Sequence, residues 1–88
     1  MAAGAFLGVN LVTPRGVVAH TDTDSVQAPG EMGEFGVLPK HVPFLTTLQP
    51  GILSVYSAQG VQKYQIGQGF AEAGPERVVI LTESCVAV

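Results

Sequence analysis

The sequence predicts an all-β fold, a two-sheet antiparallel β-sandwich or flattened barrel of about eight to ten short strands. Three observations carry that expectation. Stretches rich in Val, Ile, Phe, Tyr and Thr are separated by breaks built on glycine and proline, of which the 88 residues include 11 and 6. Within several stretches apolar and polar side chains alternate with a period of two. No window sustains apolar residues at i, i+3, i+4 and i+7 beyond about two helical turns before Gly or Pro interrupts it.

Taken in order, the first strand is Ala5–Thr13, closed by Thr13-Pro14-Arg15-Gly16, with Pro second and Gly fourth as a type I turn prefers. Gly16–Thr21 returns from it. Thr21 to Pro29 is polar apart from Val26 and Ala28, so the strand placed at Ser25–Ala28 is expected at an edge, where polarity discourages sticking. Glu34–Leu38 and Phe44–Leu48 flank the corner Pro39-Lys40-His41-Val42-Pro43. Pro50-Gly51 suits a type II turn and leads into Ile52–Ser57, where Leu53 and Val55 alternate with Ser54. Val61–Ile66 sets Gln62, Tyr64 and Ile66 on one face and Val61, Lys63 and Gln65 on the other. Gly67-Gln68-Gly69 allows a turn, a bulge or a close backbone approach before Phe70–Ala73. In the last strand, Arg77–Glu83, Val78 to Leu81 is apolar on both faces, the mark of a central strand covered on both sides. Val78, Ile80 and Leu81 are expected in the core.

The length fits a single domain spanning residues 1–88. Apolar residues make up 47% and charged residues 12%, against about 25% charged in an average globular chain, which favours folding over disorder. Four basic residues (Arg15, Lys40, Lys63, Arg77) form no cluster and leave a net charge of -3, so no nucleic-acid partner is expected. Aliphatic runs fall far below the roughly 20 apolar residues that span a bilayer. Met1 to Val9 lacks a basic n-region and reads as mature chain. A single cysteine excludes an internal disulfide and fits a reducing compartment.

Few residues of the chain carry the pattern of a reactive or ligand-holding site. His20, His41 and Cys85 are too few and scattered for a four-ligand zinc site. No Lys, Arg or His stands beside Cys85 to lower its pKa, so it reads as a structural thiol. Gly33-Glu34-Phe35-Gly36 lacks the Lys-Ser/Thr of a phosphate loop, and Glu31 and Glu34 have no visible nucleophile or companion base. No catalytic residue, metal or cofactor is expected. The segment Gly30 to Gly51 stands apart, because two prolines around Lys40 and His41 hold the chain extended and remove two backbone donors. It reads either as a plain surface corner or as a docking surface whose fixed geometry lowers the entropy lost on binding.

Leu11-Val12-Thr13-Pro14, the block Gly33 to Gly51, Gly67 to Glu72 and Val78 to Glu83 occur in an order that resembles the N-terminal β-sandwich domain of the epsilon subunit of F-type ATP synthase, called delta in mitochondria. The likeness covers most of the chain. The family's common Gly-His-x-Pro form has Lys40 in place of its glycine here, which implies ordinary negative φ or a tolerated positive one.

The resemblance implies a non-catalytic rotor subunit at the foot of the central stalk, bound to the gamma subunit and to the c ring, coupling ion-driven ring rotation to ATP synthesis. By position it implies a ring-facing loop of Glu31, Glu34, Lys40, His41 and Val42, and a gamma-facing set of Thr13, Phe44, Leu45, Thr46 and Thr47. His41 reads either as a contact where gamma, ring and sandwich meet or as a loop residue whose imidazole bonds a nearby carbonyl. The implied location is peripheral to a membrane: the cytoplasmic face of a bacterial inner or photosynthetic membrane, the mitochondrial matrix face, or the thylakoid stromal side. Relatives often continue into a helical hairpin that inhibits hydrolysis and can hold nucleotide. Only Thr82 to Val88 follow Leu81 here, so neither function is expected of these residues. The alternative is a free-standing β-sandwich binding module for a small ligand, which fold class alone would allow.

Overall fold

The computed structural model describes residues 7–38 and 43–88, and among these it contains ten strands and no helix. They are β1 (Leu7–Thr13), β2 (Gly16–Thr23), β3 (Ser25–Gly30), β4 (Gly33–Val37), β5 (Phe44–Leu48), β6 (Gly51–Ser57), β7 (Gly60–Ile66), β8 (Gly69–Ala73), β9 (Arg77–Thr82) and β10 (Cys85–Ala87). Hydrogen bonds join them in the order β10-β7-β6-β3-β5-β8-β9-β1-β2, with β4 attached to β3. β3 turns the corner of the sandwich: Ser25 to Gln27 pair with β6, and Gly30 pairs with Leu48 of β5. β2 then comes back against β6, giving the layered sheet its barrel-like closure.

The period-two pattern fills the interior. Leu7, Val9 and Leu11 of β1 meet Val26 and Ala28 of β3, Leu53 and Val55 of β6, and Val78 and Ile80 of β9 in one buried cluster. Thr23, also buried, satisfies its hydroxyl by donating to the Leu7 carbonyl at 3.2 Å.

Three tight hairpins set the ends of the sandwich. Pro14-Arg15, Glu31-Met32 and Ala58-Gln59 are two-residue connections, and each is followed by a glycine with φ of 122° to 124°. At Gly33, as at the other two, no atom lies within 4 Å of where a Cβ would stand, so the left-handed backbone and not crowding requires glycine. Gly51 differs from the expected type II turn. It does not take positive φ, and a Cβ there would lie 2.8 Å from the Pro29 Cβ, so close packing explains its small size.

β9 is central, lying between β8 and β1, but only one of its faces is covered: Val78 and Ile80 are fully buried while Leu81 is 45% exposed. In a two-layer sandwich the outer face of each sheet looks out, so an apolar run on both faces leaves a hydrophobic exterior. β9 also pairs with β1 in parallel, Gly8 opposite Arg77 through Val12 opposite Leu81, whereas the other described pairs are antiparallel. No hairpin joins these two strands, which lie far apart in the chain, so parallel pairing is open to them. The edge assigned to Ser25–Ala28 is an interior strand with Val26, Ala28 and Gly30 buried. The edge polarity belongs to Thr21 and Asp22 of β2, at the end of the strand order. β10, paired with β7, is a three-residue strand too short to announce itself by alternation.

Candidate docking site

The strand registers assemble a row of side chains across the outer face of one layer. Thr47 of β5 lies opposite Phe70 of β8, Phe70 opposite Leu81 of β9, and Leu81 opposite Val12 of β1. Phe70 is 51% exposed, so with Leu81 it leaves two large apolar side chains half in water on adjacent strands. The row forms the floor of an open groove of about 800 Å³, whose walls come from the turn after β1 (Thr13, Pro14) and from Glu31 at the β3–β4 turn.

Glu31 is held in place. Its carboxylate accepts a hydrogen bond from the Thr47 hydroxyl at 2.5 Å, its backbone N–H reaches the Thr47 carbonyl at 3.4 Å, and Gln49 N–H donates to the Pro29 carbonyl at 3.0 Å. The β3–β4 turn is thereby fastened to β5. Met32, the other residue of that turn, is fully exposed.

The period of two splits the expected gamma-facing set. Leu45 and Thr47 point outward, while Phe44 and Thr46 turn toward the core and are half-buried. Phe44 packs edge-to-face on Phe35 with ring centroids 5.7 Å apart. Thr13 and Thr47, of the expected gamma-facing set, share the groove with Glu31, of the expected ring-facing loop. Glu34 is exposed on β4, paired in register with Pro29, and lies outside the groove. Lys40, His41 and Val42 fall outside the described residues.

Phe70, Leu81 and Val12 of the groove were missed by sequence reasoning. The signal for Leu81 is the apolarity of β9 on both faces, which by itself reads as burial and does not distinguish an exposed face that a partner could cover.

Among the described residues no three His, Cys, Asp or Glu side chains stand where they could hold a metal ion. Burial pushes the Cys85 thiol above its ordinary pKa, which disfavours the reactive thiolate. His20 hydrogen-bonds Asn10 across the β1–β2 pair. An apolar row flanked by hydroxyls and a fixed carboxylate suits recognition of a polypeptide surface.

A family model described as ATP synthase, Delta/Epsilon chain, beta-sandwich domain matches residues 6–88. The chain belongs to this family. An ATP synthase epsilon chain from Desulfosudis oleivorans is 45% identical over 80 residues, covering 89% of this chain and 59% of that relative. An ATP synthase epsilon chain from Caulobacter vibrioides is 43% identical over 82 residues, covering 93% of this chain and 95% of that one. This member of the delta/epsilon family thus spans about three fifths of the first relative's length and nearly all of the second's. In a cryo-EM structure of the Euglena gracilis mitochondrial ATP synthase, OSCP/F1/c-ring, one chain superposes with a TM-score of 0.88 at 28% identity over 96% of this chain and 54% of that one. A chain from the Tetrahymena thermophila mitochondrial ATP synthase central stalk and c-ring shares the fold, with a TM-score of 0.77 at 18% identity over 91% of this chain and 65% of that one.

Proposed function

We propose that this chain is a non-catalytic central-stalk subunit of an F-type ATP synthase, linking the gamma subunit to the c ring so that ion-driven ring rotation turns the stalk and drives ATP synthesis. The observation that carries the reading is the outward apolar row of Phe70, Leu81 and Val12 on a domain of the delta/epsilon family. The groove is the gamma-facing side. Thr13 and Thr47 line it, Leu45 shares the outer face of β5 with Thr47, and Glu31 joins them by contact. Glu34, with Lys40, His41 and Val42, belongs to the ring-facing side. The subunit sits peripherally at the membrane, on the cytoplasmic face in a bacterium or on the matrix or stromal side in an organelle.

Magnitudes favour the apolar row as the main source of affinity. Fully burying a Phe or Leu side chain contributes about 1.5–3 kcal/mol, so covering two that are about half exposed contributes roughly 1 kcal/mol each. An exposed ion pair is typically worth less than about 1 kcal/mol and is screened by salt. Converting both Phe70 and Leu81 to Ser is therefore expected to weaken binding to the gamma-containing catalytic head by about tenfold to a hundredfold. Far-ultraviolet circular dichroism and binding titrations on the same samples check it. Parent-like affinity from the folded double variant would remove the groove from the gamma interface.

A further inference from the structure

We infer that Thr47 is a positioning residue that holds the Glu31 carboxylate over the groove, so that the groove selects a partner segment carrying a basic side chain beside apolar ones. The inference rests on the reading of the groove as the gamma-facing site and names the chemistry of the segment it takes.

The charges that line the groove decide the sign. Both charged residues that line the groove, Glu31 and Glu83, are acidic, and no Lys, Arg or His among the described residues lines it. The floor is apolar, so a purely basic segment would leave Phe70 and Leu81 uncovered and a purely apolar one would bury a carboxylate without a counterion. A segment with both features satisfies both. Fixing the acceptor matters because a Glu side chain otherwise loses rotamer freedom when it pairs, whereas one already tied by the Thr47 hydroxyl has less to lose. Thr47 is exposed on the outer face of β5, and Val is close to Thr in size and suits a strand, so the hydroxyl can be removed without disturbing the core.

The test measures binding of the parent chain, Thr47→Val, Thr47→Ser, Glu31→Gln and the Thr47→Val/Glu31→Gln double variant. Each is titrated against the gamma-containing head stripped of this subunit and, separately, against the isolated c ring, at low and high salt. Thr47→Val is expected to weaken head binding about three- to fivefold at low salt, with the difference vanishing at high salt. Thr47→Ser should match the parent and leave ring binding unchanged. The double variant should be no weaker than Glu31→Gln alone, because both substitutions act on one interaction. Parent-like head binding by Thr47→Val, a loss with Thr47→Ser equal to that with Thr47→Val, or a loss confined to the ring would each overturn the inference. A parent chain that binds the ring but not the head would instead overturn the gamma assignment itself, and the inference with it.

Discussion

Gly69→Ala is expected to destabilise the sandwich by more than about 3 kcal/mol, beyond the usual range for an overpacked site. A Cβ at this position would lie 1.9 Å from the Leu81 carbonyl oxygen and 2.8 Å from both the Leu81 carbonyl carbon and the Thr82 Cα. All three are backbone atoms, so no side chain can swing aside. Relief requires β8 to move off β9, and Gly69 is also opposite Leu48 of β5, so the disturbance reaches a three-strand junction. Against a total of roughly 5–15 kcal/mol for a native domain, this is a large share. Gly36→Ala is the control, because its nearest contact would be an ordinary 3.9 Å from the Val26 carbonyl oxygen. Urea unfolding of the two variants measures the difference, and equal midpoints would show that the close approach at Gly69 is absent.

Ile80→Ala should cost about 2–5 kcal/mol, while Leu81→Ala, one residue along and only half-buried, should cost about 1 kcal/mol or less. The two side chains differ little in size and hydrophobicity and stand on the same strand. They differ in face. Ile80 is fully buried among Leu, Val and Ala side chains and leaves a cavity when truncated, whereas Leu81 faces the groove. Thermal melts report the stability arm, and head binding should show the reverse order, with Leu81→Ala weaker than Ile80→Ala once both are folded. Similar melting temperatures for the two would mean that β9 is covered on both faces after all.

The placement of nine strands was legible because alternation and glycine or proline punctuation are local properties of the chain. What failed was information that local pattern does not carry. Val78 to Leu81 reads the same whether its second face is covered by the protein's own sheet or left for a partner, so the core assignment held for Val78 and Ile80 and missed Leu81. The polarity of Thr21 to Pro29, broken only by Val26 and Ala28, reads as an edge, yet within β3 Val26, Ala28 and Gly30 are buried while Gln27 points out. The gamma-facing set was carried over as a contiguous stretch, and strand geometry then divided Phe44 and Thr46 from Leu45 and Thr47. The link between Glu31 and Thr47 spans 16 positions and depends on how the β3–β4 turn lies on β5. No short-range signal reports such a contact.

In its proposed role the chain joins two partners at once, and a sedimentation assay tests this most directly. Membrane vesicles containing the c ring, a catalytic head with gamma but stripped of this subunit, and the chain are mixed in all combinations, pelleted, and assayed for ion-driven ATP synthesis. The chain should bring the head down with the vesicles and raise synthesis above the mixture lacking it, and the Phe70→Ser/Leu81→Ser variant should remain with the vesicles while losing the head. If the parent chain stays in the supernatant with both partners present, or if head and vesicles associate and make ATP equally well without it, the linking role is wrong.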